Sequence, residues 1–553
     1  MNIRIASERD TLRKIADERR IPVGELLAIN PHIVHPDRLI AGFPVYFPSS
    51  DGPDRSSSRQ LGGLPFCPLE PVQPLDTWFP LTPLEEMAEQ EYDVLIVGTG
   101  AGGGSVLWRL CEQWRQENKR IGIIERGDLV LPSHARNLPM MNTDRLWRYF
   151  NTISKPLPGA GTDYAGARQL FAFGGRSLFW FAFAMRMTLS TLEKYPFPVQ
   201  EMNTYYNLAE QAMNVTRTFT QDSTFTEILL NRLWQNGYTE ADHIPLAADL
   251  MPSLYGRIHT DIFNSSISLL SAALNLRPFD LAVNARAVKV EHNGGKVSGV
   301  TVMKPDKTAY TLKAKTVVLS ASSFETPRLL LHSGIRHPAI GHYLMNHPLV
   351  QATGSISRPQ FPFPLGTLGI SVPQSVQRPY LLLMAGPGDF YWYQTSEVRP
   401  FALEESVIFF GYGKVEPRYE NRIALNPFKK DEYGVPEIEV HYSLSAQEEE
   451  AIRRLEEGIR NVSAVSGINL VSRNGNPPIC LSPLGEPHHD SGTCRIGNDP
   501  VTSAADVNGQ IRGVSGLFVA DNSALPQIGA ENPTLTTVAL SIRLADYLVQ
   551  TLR

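Results

Sequence analysis

Four glycines fall within six residues at Gly98-Thr-Gly100-Ala101-Gly-Gly103, and a carboxylate and a guanidinium follow side by side at Glu125 and Arg126. Residues of these types at this spacing suit the holding of a dinucleotide. Gly98 permits a tight turn, Gly100 lets backbone approach a pyrophosphate, and Gly103 allows a helix to pack closely. Ala101 opens that helix, whose first amide groups then face negative phosphates. Glu125 is expected to accept hydrogen bonds from a ribose hydroxyl, and Arg126 belongs with it in the cofactor-binding set. The pattern does not separate FAD from NAD.

Such a turn works only between the right elements. Tyr92 to Val97 is a short, β-branched apolar run that predicts a strand, Ser105 to Trp114 carries a helical pattern, and Ile121 to Ile124 predicts the strand that ends in Glu125. Two later segments are expected to add strands to the same domain: Leu281 to Val290, with backbone near Val288 meeting adenine, and Thr316 to Ser320. The domain is therefore discontinuous in sequence. No second complete GxGxxG occurs, so a flavin enzyme built on this chain is expected to draw its electrons from the substrate and not from NADPH.

The 553 residues, 42% of them hydrophobic, are enough for two or three domains with large cores. Lys and Arg number 51 against 56 Asp and Glu, and a net charge of −5 spread over so large a surface asks for neither nucleic acid nor an anionic membrane. The four cysteines, Cys67, Cys111, Cys480 and Cys494, lack the spacing of a metal site or a disulfide frame and read as thiols of a reducing compartment. The first thirty residues lack the apolar core of a secretory signal, and no run of about eighteen apolar residues predicts a membrane span. The expected location is cytoplasmic.

Residues 1–48 read as a β-α-α-β unit in which Asp10 caps the first helix and Asn30-Pro31 stops the second. Asp10-Thr11-Leu12, Ile15-Ala16, Glu25-Leu26-Leu27, Asn30-Pro31 and the Ala41-Gly42 turn into Val45 resemble a LysM module, although Arg9 stands where such modules usually have glycine. The resemblance implies binding of N-acetylglucosamine polymers; a docking or folding cap is the plainer reading. Seven prolines between Ser49 and Leu84 predict an extended linker, taken as 49–90.

Near the C-terminus stand His488-His489-Asp-Ser-Gly-Thr-Cys-Arg-Ile-Gly497, Gly516-Leu-Phe-Val-Ala-Asp521 and Gly529-Ala-Glu-Asn532-Pro533-Thr534-Leu-Thr. These segments resemble the C-terminal domain of glucose-methanol-choline (GMC) oxidoreductases, and the Asn-Pro-Thr-Leu-Thr run in particular is similar to pyranose oxidases. Glu325-Thr-Pro-Arg328 and Ser333-Gly334-Ile335 resemble that family's second signature. The resemblance covers residues 90–553 and implies an FAD enzyme that oxidises a carbinol by hydride transfer to flavin N5. It selects His489 as the base and Asn532 as the residue that orients the substrate oxygen, with His488 structural. It also implies that Asp521 and Asn522 meet the ribityl or phosphate region, and that Asn532, Pro533 and Thr534 start a helix facing the flavin ring. Gly174-Gly175-Arg-Ser177 resembles the family's flavin loop. Phe179 stands where related enzymes carry a linking histidine, so FAD is expected to be non-covalent.

The predicted fold is α/β, with a Rossmann-type FAD-binding domain over 91–186, 281–348 and 485–553 and an α+β substrate-binding domain over 187–280 and 349–484. The LysM-like unit precedes both. Strands at Asn421 to Leu425 and Val435 to Val440 are expected to roof the flavin, and Phe390-Tyr391-Trp392-Tyr393 offers rings to a sugar. The expected substrate is a pyranose or glycoside, with oxygen or a quinone as acceptor and no metal. Three other readings stay open: a dehydrogenase of a non-sugar alcohol, a flavin-bound lyase, and a glycan-binding protein with a relict flavin fold. The sequence does not fix whether the chain forms a homo-oligomer.

Overall fold

The computed structural model describes residues 2–48, 77–138, 141–220, 223–249, 263–362, 365–386, 403–473 and 475–552; the aromatic run at 390–393 and Cys67 lie outside them. The chain forms two compact units, one ending at Asp76 and the other starting at Thr77. Among the described residues no helix is long and apolar enough to cross a membrane.

In the first unit, β1 (Asn2–Ile5) and β2 (Pro44–Phe47) pair antiparallel, with α1 (Leu12–Arg19) and α2 (Val23–Ala28) between them. Leu12, Ile15, Ala16, Leu26 and Val45 bury against one another. Asn30 fixes the closing turn from inside, giving its amide hydrogens to the Leu26 and Tyr46 carbonyls and accepting from the Tyr46 amide. The cap differs from expectation by one residue. Thr11 caps α1 by accepting from the Lys14 amide, which leaves Asp10 to accept from Ser7 and to pair with Arg4 and Lys14. Those contacts hold the Asp10 carboxyl well below its usual range.

In the second unit the expected linker ends early. Leu84 and Met87, on α3 (Leu84–Ala88), are buried against the main sheet together with its own residues, so the proline-rich composition does not extend to residue 90 as unpacked chain. From there β3 (Glu91–Val97), α4 (Ala101–Gln113) and β4 (Ile121–Ile124) form the strand-turn-helix-strand that the glycines require. Val94 to Val97 are all buried, as befits a parallel strand covered on both faces. The sheet runs in the order Asp280–Ala282, β4, β3, Ala309–Leu319, Lys296–Met303, Arg286–Asn293, with Leu517–Val519 parallel to Ala309–Leu319. The strand expected over 281–290 is thus two: Asp280–Ala282 pairs parallel with β4, Asn284 turns at φ +53°, and Arg286–Asn293 pairs antiparallel elsewhere.

A second, antiparallel sheet holds Leu349–Ser357, Glu404–Gly413, Tyr380–Gly386 and Leu368–Val372. Its faces alternate as a pleat demands. Val350, Ala352, Val407 and Phe409 pack with Leu455, Ile459 and Val462 of the helix Ala446–Ser466, whose start is locked by a Ser445/Glu448 capping box. Leu349, Gln351, Phe410 and Tyr412 point the other way and line the molecule's main cavity. The strands expected at 421–425 and 435–440 exist as Arg422–Lys430 and Pro436–His441, but they form a separate two-stranded ribbon and not this roof.

Helix α4 approaches the sheet so closely that a Cβ on Gly102 would lie 1.8 Å from the Ala520 carbonyl oxygen, and one on Gly103 2.0 Å from that of Gly98. A methyl on Gly100 meets nothing within 4 Å. In thermal unfolding of the apoprotein, Gly102→Ala is expected to lose about 1–3 kcal/mol or more through backbone overpacking, whereas Gly100→Ala should unfold at the parent's midpoint. Equal midpoints for all three proteins would show that α4 has room to shift.

Candidate active site

One cavity of about 720 Å³ connects the glycine turn to the C-terminal histidines. Gly98, at φ +106°, turns the chain out of β3; its own Cβ would strike the Ser320 carbonyl, so only glycine fits. No side chain caps α4, and Gly100 and Ala101 present its N-terminal backbone to the cavity. Gly103 and Gly174 do not line the cavity; they serve packing and the loop turn, Gly174 at φ +92°. Gly175 and Ser177 do line it, and the Ser177 hydroxyl donates to the Gly174 carbonyl while accepting from the Ser266 amide.

Glu125 is buried at the cavity wall and already accepts from the Thr99 amide, the Thr99 hydroxyl at 2.7 Å and the Gly127 amide. Burial pushes its carboxyl above the usual range despite these donors. Arg126 lies 3.6 Å over the Phe171 ring and reaches Glu325 at 3.3 Å. The Val288 side chain is buried, while Ala285, Arg286 and Ala287 just before it line the cavity; the strand bulges between Ala287 and Lys289. Arg286 was not anticipated. It is 3% exposed, pairs with Asp431, and leaves Nε and Nη1 without partners at the cavity wall. Arg328 ties Glu325 at 2.9 Å to Asp431 at 2.6 Å.

An uncapped helix start, an open Gly100 and the two unpartnered guanidinium nitrogens of Arg286 together fit an anionic dinucleotide. Asp521 accepts from the Ser322 and Ser523 amides and from the Thr326 hydroxyl, and Asn522 accepts from the Thr537 hydroxyl. Asn522, Asn532 and Thr534 line the cavity beside Asp521; Pro533 lies behind them as the helix cap.

At the other end His489 meets two partners. Its Nε2 lies 3.3 Å from the Asn532 amide nitrogen, and its Nδ1 lies 2.8 Å from Nδ1 of His347. His347 Nε2 in turn lies 3.2 Å from the Gly529 carbonyl oxygen. Burial drives the pKa of His347 down to about 3 and that of His489 well below 6.5, so both rings are neutral. The bonding pattern then assigns the protons. A carbonyl only accepts, so His347 carries its hydrogen on Nε2 and accepts at Nδ1. His489 must donate from Nδ1, which leaves its Nε2 bare and receiving a hydrogen bond from Asn532. His488, at φ +57°, packs on Phe150 at 5.4 Å with Nδ1 unpartnered, and burial lowers its pKa to about 3. Asp490 anchors the segment, buried and bonded to Arg176, Tyr164 and Asn346.

His347 escaped the sequence reading because a histidine in Met345-Asn-His-Pro348 has no local signature, and its partner is 142 positions away.

Family comparison decides what this arrangement belongs to. The GMC oxidoreductase family matches the chain twice, with its N-terminal part over residues 136–349 and its C-terminal part over 417–541. The chain belongs to the GMC oxidoreductase family. These segments hold His347, His489 and Asn532. A C-glycoside 3-oxidase of Arthrobacter globiformis is 31% identical over 291 residues, 50% of this chain and 54% of that one. A pyranose 2-oxidase of Tricholoma matsutake is 26% identical over 267 residues, 43% of this chain and 47% of that one. The chain thus spans about half the length of the curated relatives it matches. A formate oxidase of Aspergillus oryzae, solved to follow modification of its FAD, shares the fold with a TM-score of 0.61 at 14% identity, over 84% of this chain and 98% of that one.

Glu531, next to Asn532, is buried with Oε1 unpartnered, and burial raises its pKa to about 8. It holds its proton at neutral pH. An unfolded chain releases that proton above about 4.5 while the native one keeps it to about 8, so this group lowers stability as pH rises through that window and has no further effect above it. Glu531→Gln, neutral at every pH, should therefore lose less melting temperature than the parent between pH 5 and pH 9. Parallel melting curves would remove the group from the linkage.

Proposed function

We propose that this GMC oxidoreductase uses non-covalent FAD to oxidise a CH–OH group to a carbonyl, on a pyranose or glycoside. The observation that carries the reading is the placement of His489 between His347 and Asn532, in the cavity that begins at the Gly98–Gly103 turn. Bound FAD would take up the hydride and so the two electrons that leave the carbinol carbon.

The chain's own residues account for the rest. Gly100, the start of α4 and Arg286 would hold the pyrophosphate and adenosine end, with Asp521 and Asn522 farther along. Oxidation of the carbinol releases one proton from its hydroxyl, and His489 Nε2 takes it. Asn532 donates to that same nitrogen in the absence of substrate; an incoming hydroxyl would take over the Nε2 lone pair and free the Asn532 amide to orient the alcohol oxygen. His347 acts through His489: by accepting from Nδ1–H it excludes the tautomer in which Nε2 carries the hydrogen and cannot serve as base. Phe179 lines the cavity with a ring that has no nucleophilic atom, packed on Phe150 at 5.5 Å, which supports a non-covalent cofactor.

The sugar reading rests on the C-glycoside 3-oxidase and pyranose 2-oxidase similarities. The β-α-α-β order of residues 2–48 supports a LysM-like unit, with a docking or folding cap as its plainer role.

Anaerobic mixing of the yellow protein with sugars, glycosides and simple alcohols tests the proposal through loss of the flavin band near about 450 nm. A pyranose or pyranoside should bleach it, and acid precipitation should leave all flavin in the supernatant. His489→Ala should stay yellow and slow bleaching by about 10² to 10⁴. His347→Leu should slow it by a comparable factor, while His347→Gln, which can still accept from Nδ1–H, should recover part of the rate. Bleaching at the parent's rate in His489→Ala would overturn the assignment.

A further inference from the structure

The end of the cavity around His489 is walled by aromatic rings drawn from separate parts of the chain. Tyr412 lies 5.2 Å from the His489 ring, centroid to centroid. Phe410, two residues earlier on the same strand and same face, is displaced from it by roughly 6–7 Å along the strand. Phe181 closes on Phe410 at 5.1 Å, stacks on Phe183 at 5.7 Å with planes 9° apart, and meets Trp147 at 5.7 Å. All five line the cavity, and Trp147 and Phe181 are only half-buried, so their rings keep surface free.

We propose that the substrate is a pyranoside carrying an aromatic aglycone, with its sugar carbinol at His489 and its aromatic group against the cavity-facing surfaces of Phe410, Phe181 and Trp147. The inference deepens the sugar-oxidation reading and rests on it. A hydroxyl-covered pyranose extended into this wall would leave its hydroxyls facing ring carbons, and buried polar groups without partners are disfavoured. A planar aromatic group loses nothing there and gains stacked or edge-to-face contacts with several rings. The offset of Phe410 from Tyr412 suits this division, since it is about the reach of one sugar ring and its substituent. Gln351, opposite Phe410 in the sheet register, gives an amide hydrogen to the Ser482 hydroxyl at 2.7 Å.

The test uses the FAD-loaded full chain under anaerobic conditions and compares flavin reduction by glucose, methyl glucoside and phenyl glucoside. Phenyl glucoside should show a second-order reduction constant at least tenfold above the other two. Phe181→Leu and Phe410→Leu, which keep apolar volume but remove the ring face, should each reduce that ratio severalfold; flavin content and melting temperature establish that the variants are folded. Equal constants for the three glucose compounds in the parent would overturn the proposal, as would a ratio that survives in both Leu variants. If no sugar bleaches the flavin but benzyl alcohol does, the pyranose reading fails and the aromatic site stands.

Discussion

Two neutral imidazoles that meet Nδ1 to Nδ1 at 2.8 Å must divide their roles, one donating and one accepting. Burial makes the choice consequential, because neither ring can escape it by becoming charged. The Gly529 carbonyl settles the direction: it fixes the hydrogen of His347 on Nε2, and the remaining bonds follow to Asn532. The site therefore depends on backbone placement at residue 529 as much as on any side chain. That placement comes from the segment that also carries Glu531 and Asn532 and leads into the helix Thr534–Thr551.

The rest of the fold brings three remote stretches to this contact. The mixed sheet ends its parallel strands at the glycine turn and at Asp521, so the Gly98–Gly103 backbone and the C-terminal segment share one edge. The antiparallel sheet turns Leu349, Gln351, Phe410 and Tyr412 inward, and the chain just before Leu349 carries His347. Opposite them, the 143–153 helix brings Trp147 and Phe150, and residues 174–183 bring Gly175 and Phe181. A cavity assembled this way has charged side chains and open backbone at the glycine end and aromatic rings near the histidine end.

The glycine turn was legible in the sequence because its constraints are local: strand, turn, helix and terminal acid lie within about thirty residues, and each glycine has its own steric reason. His489 and Asn532 were legible only through family resemblance. His347 and the Arg286–Asp431 pair are contacts of 142 and 145 positions and leave no periodic trace. The strand expected over 281–290 is split at a left-handed Asn284 and bulges after Ala287, neither of which composition reveals. The sequence offers the contiguous run at 390–393 as an aromatic surface, whereas the rings that wall the His489 end of the cavity come from three segments far apart in sequence.

The proton assignment at His489 is the claim on which the chemistry rests, and ¹⁵N NMR of histidine-labelled protein measures it directly, with His489→Gln identifying the resonances. At neutral pH the account predicts a neutral His489 ring with hydrogen on Nδ1 and an unprotonated Nε2, joined to a His347 ring that carries its hydrogen on Nε2. An Nε2-protonated His489, or an imidazolium at either residue, would contradict it.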